Sequence, residues 1–402
     1  MPGFSELSAP VRIALLSILD RDPAPGRTRP AFLPFAGARV VERQLDLALS
    51  LGCEAVACLA DGIGREVIEL QHRAEKAGAR FIAVREPAKL SGLVTANDEL
   101  LVIASGVLPE PAAVERLLAK PAVVAFPADV AVPLGFERID PEFAWTGVVL
   151  TRGSLVERLT ELPPDIDVPS SLMRLALQTG TQLVPAERRL LDDGDWTIDA
   201  TPEELKARET RWIEAQREKI PFTAPGIAVA ERAGTRLARD IVGRKSEAAP
   251  AIVSGVFAAS AGIAGWLEMP ALGLGFLAVS AFFARVGLVI ERIASKGDTG
   301  AKRGSFVKLL QHLSDPLVIY LMYAASSQES DWVRLFVPAM LVGLLRLGEW
   351  HGNEDWRRTY ADRILLGTIL CVAAFFGVSA EVGAFIAMLV LISRFLAPFR
   401  QP

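Results

Sequence analysis

The sequence is poor in cysteine, histidine and tyrosine, with three of each among 402 residues. The three cysteines lack the spacing of a zinc motif or a disulfide framework, so we expect them to be reduced packing residues. Basic residues are not in excess either, because 43 Lys and Arg stand against 47 Asp and Glu. This balance argues against a nucleic-acid partner. The first ten residues lack the basic start and apolar core of a secretory leader, so we expect a cytoplasmic first half.

Apolar residues make up 51% of the chain and are unevenly distributed. Up to Phe222 charged and apolar residues alternate in the manner of a globular domain, whereas long apolar runs dominate from Ala249 onward. The pattern predicts an α/β soluble domain with a mostly parallel sheet, followed by an all-α transmembrane domain of six helices. The predicted boundaries are a soluble domain over 1–222, a linker and amphipathic helix over 223–247, and a membrane domain over 248–402.

Six apolar runs are candidate membrane spans, although several are shorter than the roughly 20 residues that cross a bilayer. They are Ala251–Leu267, Ala271–Ile290, Phe306–Ala325, Val333–Leu347, Ile364–Val378 and Val382–Pro398. Lys and Arg occur in the loops after the second and fourth runs and are absent from the other loops. The positive-inside rule therefore predicts a multi-pass protein of the inner (cytoplasmic) membrane with both termini in the cytoplasm.

The segment before the first run, IAVAERAGTRLARDIVGRK, has the pattern of an amphipathic helix. It places Val229, Ala233, Leu237 and Ile241 on one stripe, with arginines on the other side. The arginines have two alternative roles. They face an anionic leaflet, or they face a phosphate-bearing substrate.

A polar segment from Glu291 to Asp315, ERIASKGDTGAKRGSFVKLLQHLSD, crosses from the second apolar run into the third. A basic amphipathic helix, six apolar runs and a polar motif at this place together resemble the CDP-alcohol phosphotransferase family. That family's motif is Asp-Gly, two residues, Ala-Arg, eight residues, Gly, three residues, Asp, three residues, Asp. The resemblance implies Mg²⁺ or Mn²⁺ held by the aspartates against a pyrophosphate, with the last aspartate as general base.

Arg292 and Gly304 match the arginine and the later glycine of this motif, across a gap longer than the family's. The aligned aspartate positions carry Gly287, Lys308 and His312 instead. Because a fixed lysine repels a divalent cation, we expect ordinary metal binding to be lost. Glu291, Asp298 and Asp315 remain as acidic candidates for a rearranged metal site.

The cations of this segment have two alternative explanations. In the first, Arg292, Lys308 and His312 bind a phosphate without metal, and Arg285 belongs to the same phosphate-binding set. In the second, they form internal pairs, Lys308 with Asp315 or Arg285 with Glu291, whose long side chains reach the interface.

The first half has alternating strand-like and helix-like runs, among them VRIALLSIL, EAVACLA, RFIAVRE, LLVIA and AVVAFPA. PAFLPFAGARVVERQLDLALSLGCEAVA and DWTIDATPEELKARE resemble two segments of sugar-nucleotidyltransferases with a GT-A-like fold. The resemblance implies that Asp199 is a metal ligand. Arg27 and Arg29 are candidate phosphate ligands in the loop DRDPAPGRTRPAF, whose prolines remove N–H donors. Ser105 stands where the family has its other metal aspartate.

Together the two halves resemble fused proteins of phosphoinositol-lipid synthesis, with degenerate motifs in both. The resemblance implies a membrane protein of polar-lipid head-group metabolism that binds a lipid, a CDP-alcohol or another nucleotide, and it implies a homodimer. One alternative is a non-catalytic binding or regulatory protein. A second is an active phosphotransferase in which His312 is the general base and Lys308 and Arg292 bind phosphate. A third is a lipid or solute transporter.

Overall fold

The computed structural model describes residues 11–19, 28–163, 166–241, 248–295, 305–351 and 354–396. Side chains are outside this description at residues 239–241, 295, 305–311, 351, 354–355 and 394–396. The chain divides into two compact units between Arg211 and Trp212. This point lies ahead of the boundary at Phe222 that the sequence predicts.

The strands of the first unit form an eight-stranded mixed sheet and a separate two-stranded ribbon in the described part of the chain. The strands are β1 (Arg12–Ser17), β2 (Pro34–Phe35), β3 (Ala38–Arg39), β4 (Ala55–Leu59), β5 (Arg80–Val84), β6 (Glu99–Ile103), β7 (Ala122–Pro127), β8 (Glu137–Arg138), β9 (Phe143–Arg152) and β10 (Gln182–Pro185). The order in the large sheet is β10-β7-β9-β6-β1-β4-β5, and β8 pairs with β9. β2 pairs with β3 in the ribbon.

Strand β1 lies parallel between β4 and β6, and β5 extends the sheet beyond β4 in the same direction. β9 is antiparallel to both of its neighbours, β6 and β7. The five strand-like runs in the sequence correspond to β1, β4, β5, β6 and β7. The α/β class is therefore confirmed for this unit, as a mixed sheet.

Helices cover the sheet, which explains why strands such as β4 are apolar and buried along their whole length. The helices that begin in this unit are α1 (Val40–Ser50), α2 (Arg65–Lys76), α3 (Pro111–Leu117), α4 (Ala128–Ala131), α5 (Val168–Gln178), α6 (Arg189–Asp192) and α7 (Pro202–Ala215). α1 packs on β1, and α5 packs on β6, β7 and β9. Their apolar faces and the strands form one continuous core.

The second unit is helical. Its helices are α8 (Pro225–Ile241), α9 (Ala249–Trp266), α10 (Pro270–Ser295), α11 (Ser305–Ala325), α12 (Asp331–His351), α13 (Glu354–Tyr360), α14 (Arg363–Phe375) and α15 (Ser379–Leu396). α10 packs against α8, α9, α11 and α14. Leu274, Leu321, Met322 and Leu341 lie in the core of this unit.

The prediction of six membrane spans is wrong on length and apolarity. By these criteria two helices qualify in the described part of the chain: α9, with mean hydropathy 1.4, and residues Pro270–Ala294 of α10, with mean hydropathy 2.0. α12 carries Asp331, Arg334, Arg346 and Glu349, which makes it too polar. α14 has 13 residues, fewer than the roughly 20 that cross a bilayer. The apolar runs predicted helices correctly and overestimated how many qualify as spans.

The amphipathic helix α8 forms, but its packed face differs from the predicted stripe. Val229 and Leu237 are exposed, whereas Ala230, Glu231 and Ala238 are buried. The reason is close helix packing, because a Cβ added at Gly234 would lie 2.8 Å from Cβ of Val289 on α10. Small side chains allow this approach where larger apolar ones do not.

Candidate functional site

The first candidate site lies where β6 ends, beside the central strand of the sheet. Ser105 and Gly106 follow β6 there and are buried. The side-chain Nε2 of Gln44 donates to the carbonyl oxygens of Ala104 at 2.9 Å and Val107 at 2.6 Å, which holds this turn from helix α1. Ligand sites in sheets with parallel strands commonly lie at this carboxyl edge.

Asp199 lies directly against the turn after β6. Its backbone N–H donates to the carbonyl oxygen of Gly106 at 3.1 Å, and its own φ is +44°. A Cβ built on Gly106 would stand 2.1 Å from Oδ1 of Asp199, so the glycine leaves the room that the carboxylate occupies. The structure thus brings the predicted carboxylate against Gly106, the residue that follows Ser105. The assignment of Asp199 as a metal ligand stays a prediction.

Arg29, the second predicted residue at this edge, is engaged in an ion pair. Its Nη2 lies 2.6 Å from Oδ2 of Asp61, which follows β4, and both side chains are substantially exposed. Pro30 lies near Gly106, since its Cβ is 3.0 Å from the Cβ that would be added there. Arg27 lies outside the described residues. Phosphate binding by either arginine stays a prediction.

The second candidate site is a charged cluster on α10 in the helical unit. Arg285 and Arg292 are seven residues apart on this helix, so their side chains share a face. Arg292 donates to Glu218 and to Glu231, and Nη2 of Arg285 lies 3.3 Å from Oε2 of Glu218 and 3.7 Å from Oε2 of Glu231. The sequence predicted Glu291 as the internal partner of Arg285. Its observed partners, Glu218 and Glu231, come from a different part of the chain.

Glu231 is the buried member of this cluster, with 1% of its side chain exposed. Burial of an unpaired carboxylate is costly, and the two arginines offset that cost. The Oε2 atom of Glu231 accepts no hydrogen bond from the described residues, and Nη2 of Arg285 lies 3.7 Å from it. Oε2 of Glu231 can therefore accept a further hydrogen bond.

Asp315 lies in a separate network of four charged side chains from α11, α12 and α14. Its Oδ1 accepts from Nε of Arg363 at 2.8 Å, and its Oδ2 accepts from Arg346. Glu349 lies 2.7 Å from Nη2 of Arg363 and 3.1 Å from Nη1 of Arg346. Two guanidinium groups and two carboxylates therefore neutralise each other inside the helical unit.

A cavity of about 160 Å³ lies beside both networks. Its polar lining consists of three arginines, one glutamate and three serines, namely Arg285, Arg346, Arg363, Glu349, Ser254, Ser280 and Ser314. Ser254 and Ser280 join α9 to α10 by reciprocal hydrogen bonds, each hydroxyl donating to the other residue's carbonyl oxygen at 2.9 and 2.8 Å. The cavity is thus rich in cationic donors within an otherwise apolar helical unit.

The remaining predicted residues are not brought into one site by the described part of the chain. His312 is exposed on α11, and Glu291 is half-buried with Oε1 lacking a described hydrogen-bond partner. Asp298 and Gly304 lie outside the described residues, and so does the side chain of Lys308. The roles assigned to these residues stay predictions.

The residues that the structure describes do not form a site for a resident Mg²⁺ or Mn²⁺. Within the described ranges no three side chains of His, Cys, Asp or Glu are grouped so that they could hold a metal ion. Both oxygens of Asp315 accept from arginine, and a divalent cation placed there would be repelled by two guanidinium groups. At the sheet edge Asp199 lies against Gly106, and the preceding residue, Ser105, is a serine where the family resemblance implies a second metal carboxylate.

Sequence reasoning did not identify Glu218, Glu231, Arg346, Glu349 and Arg363. Glu231 offered one usable signal, because it is an acidic residue on a helix whose other charged residues before Asp240 are arginines. Arg346 and Glu349 interrupt an apolar helix, and ionisable residues at such places usually have partners. The partners themselves are far apart in sequence and were not identifiable from spacing.

Comparisons with known proteins gave no match to a family model and no match to a curated protein sequence. Many solved structures match, among them two that are similar over the N-terminal half. One is a Bacillus anthracis protein assigned as a glucose-1-phosphate thymidylyltransferase and solved with a sucrose, with 13% identity, TM-score 0.34, and coverage of 46% of this chain and 94% of that chain. The other is the inositol-1-phosphate CTP transferase of T. maritima, with 14% identity, TM-score 0.35, and coverage of 48% and 95%. Similarity at this level does not assign an activity to the chain.

Proposed function

We propose that this chain is a membrane-associated, CDP-alcohol phosphotransferase-like protein that binds a phosphate-bearing head group in polar-lipid metabolism without transferring it. The observation that carries the proposal is the arginine-lined cavity of the helical unit. The sequence resemblance of Arg292 and its surroundings to the family motif supplies the ligand class. Two apolar helices, with exposed Trp266 and Trp332 at helix ends, support association with a bilayer.

Charge and shape at the cavity favour a phosphate group. Guanidinium forks match the oxygens of phosphate in pairs, and serine hydroxyls donate further hydrogen bonds to the same kind of atom. A cavity of about 160 Å³ has room for a group of several heavy atoms, because about 10–15 Å³ of such space holds one water. The Nε atom of Arg285, a lining residue, has no hydrogen-bond partner among the described residues, and a neutral apolar ligand would leave it unsatisfied.

Binding without transfer follows from the placement of the acidic groups. A phosphotransferase of this type needs carboxylates free to hold a metal and to accept a proton. Asp315 and Glu349 instead each contact both Arg346 and Arg363. Neither carboxylate is available for metal while these pairs persist.

We extend the proposal to the first unit, which we expect to bind a nucleotide at the carboxyl edge of its sheet. Asp199, Ser105 and Arg29 lie at this edge, and the sequence resemblance to sugar-nucleotidyltransferases implies a nucleotide as the ligand. With one carboxylate at the turn after β6, we propose that this unit binds a nucleotide and does not catalyse nucleotidyl transfer.

The proposal is tested with the full chain reconstituted in lipid nanodiscs that contain anionic lipid. Titration calorimetry with CDP-glycerol and with glycerol 3-phosphate should show saturable binding, while CMP release from CDP-glycerol stays at background with Mg²⁺ or Mn²⁺ present. Arg285→Gln should weaken binding about tenfold through loss of a charge-assisted hydrogen bond. Arg334→Gln is the matched control, because Arg334 pairs with exposed Asp331 and does not line the cavity.

Two results contradict the proposal. One is metal-dependent CMP release that disappears in Asp315→Asn, since this identifies an active transferase. The other is the absence of binding by either ligand in folded, reconstituted protein.

A further inference from the structure

The carboxylate of Glu218 lies among three arginines of the helical unit. Its Oε2 is 3.3 Å from Nη2 of Arg285 and 3.5 Å from Nη2 of Arg358, and its Oε1 accepts from Arg292. Glu218 belongs to a strap, residues 216–224, that precedes α8 and is not helical. Guanidinium groups from α10 and α13 therefore converge on a carboxylate carried by an irregular segment.

The three-arginine cluster consists of Arg285, Arg292 and Arg358, each of which lies against the carboxylate of Glu218. Arg285 and Arg292 also face the buried Glu231. A phosphate monoester offers three terminal oxygens and close to two negative charges, whereas a carboxylate offers two oxygens and one charge. Phosphate is therefore the better-matched anion for this cluster.

We propose that Glu218 is an internal competitor that occupies the three-arginine cluster and is displaced when a phosphate monoester binds. This inference rests on the proposed function, to which it adds regulation. In the closed state the strap blocks the cluster with the chain's own carboxylate. In the open state the phosphate takes the guanidinium donors and Glu218 enters solvent.

Of the two carboxylates in the cluster, Glu218 is the more exposed, so it can move from the arginines into solvent. Its side chain is 35% exposed, against 1% for Glu231. Glu231 is fixed on α8, whose buried face packs on α10, so it stays in place. Hydrogen bonds also tie the strap to α13, from Arg358 to the carbonyl oxygen of Lys219 at 2.5 Å and between Thr359 and Thr223 at 2.7 Å. The backbone N–H of Glu218 donates to Oε1 of Glu231 at 3.2 Å, so the side chain of Glu218 can turn to solvent while its backbone stays on α8.

The first measurement uses inorganic phosphate as the probe and the full chain in nanodiscs. Glu218→Gln removes the competing charge while keeping a side chain of the same size, so phosphate should bind about tenfold tighter or more, as measured by titration calorimetry. Glu329→Gln is the charge-matched control. It lies on an exposed turn after α11, and its affinity should equal that of the wild type.

The second measurement uses the trypsin sites that flank Glu218. Arg217 and Lys219 are exposed, so cleavage there reports release of the strap. Phosphate should accelerate cleavage of the wild-type strap several-fold, and sodium chloride at equal ionic strength should not. In Glu218→Gln cleavage should already be fast without phosphate.

The inference is overturned if Glu218→Gln is folded and binds phosphate no more tightly than Glu329→Gln. If Glu218→Gln does not fold, wild-type proteolysis decides, and a strap whose cleavage is unchanged at saturating phosphate overturns the inference. A failure of the proposed function gives a different result, namely that CDP-glycerol does not bind in a manner that depends on Arg285. The effect of phosphate on cleavage of the strap is measured separately and tests the inference alone.

Discussion

The backbone N–H of Gly226 donates to Oδ2 of Asp362 at 2.8 Å, although the two residues lie 136 positions apart. The same carboxylate accepts from the N–H of Ile227 at 3.2 Å and from that of Leu365 at 3.0 Å. Gly226 and Ile227 are in the first turn of α8, and Leu365 is in the first turn of α14. One buried aspartate therefore caps two helices.

Asp362→Ala should lower the free energy of unfolding by about 2–3 kcal/mol, because each lost cap costs about 1 kcal/mol and the freed N–H groups are partly buried. The measurement is chemical denaturation of the detergent-solubilised full chain, followed by tryptophan fluorescence. Asp331→Ala is the control, since the Asp331 side chain is 93% exposed and its loss should change stability by less than about 0.5 kcal/mol. Equal effects of the two substitutions would refute the shared cap.

Gly106→Ala should be strongly destabilising, by about 3 kcal/mol or more, because strain at φ +71° adds to a clash with Asp199. Gly78→Ala is the matched control, with φ +88° and no atom within 4 Å of the added Cβ, and should cost about 1 kcal/mol. Adding Asp199→Ala to Gly106→Ala should recover part of the loss, because it removes the clashing oxygen. Denaturation of all three variants checks this, and a double variant no more stable than Gly106→Ala alone rules out the Asp199 contact.

The thiols of Cys53 and Cys58 should be unreactive in the folded protein. Burial raises the pKa of each thiol to about 12, and the thiolate is the form that reacts. At pH 8 we expect labelling by a disulfide reagent to be about a thousandfold slower than in the denatured chain. The rate should rise with pH while the fold persists. The experiment uses Cys371→Ala to remove the third thiol, and rapid labelling of the native protein at pH 8 would contradict the prediction.

Asp315→Asn should lower the free energy of unfolding by about 2–3 kcal/mol, because it removes the buried carboxylate that pairs with the partly buried Arg346 and Arg363. The control is Glu381→Gln, an exposed residue at the start of α15. Wild-type stability should not change when EDTA replaces Mg²⁺, since the partners of Asp315 are arginines. A loss of stability in EDTA that matches the effect of Asp315→Asn would instead identify Asp315 as a metal ligand.

The sheet could be predicted from sequence to the extent that its strands are continuous apolar runs. RIALLS and AVACL are buried on both faces, so their composition alone indicates central strands. The strand FAWTGVVLTR was not identified, and its antiparallel place between β6 and β7 depends on pairing with distant segments. The number of spans was overestimated because apolar composition favours buried helices and membrane helices alike.

The candidate site was predictable only in part. Arg285, Arg292 and Asp315 stood out as charges in apolar surroundings, which indicated that each has a partner. The identity of the partners was not encoded locally, since Glu218 lies 74 residues from Arg292 and Arg363 lies 48 residues from Asp315. Spacing rules reach one or two helical turns, and these contacts depend on how whole helices pack.

The reciprocal hydrogen bonds of Ser254 and Ser280 have a consequence for how the two most apolar helices move. Sliding or rotating α9 against α10 breaks both bonds together, and each hydroxyl would then need a new acceptor in apolar surroundings. The helical hairpin made by α9 and α10 is thus locked in register from within. We therefore expect a rearrangement that widens the neighbouring cavity to keep α9 and α10 together as a rigid pair. The other helices of the unit would then move relative to this pair.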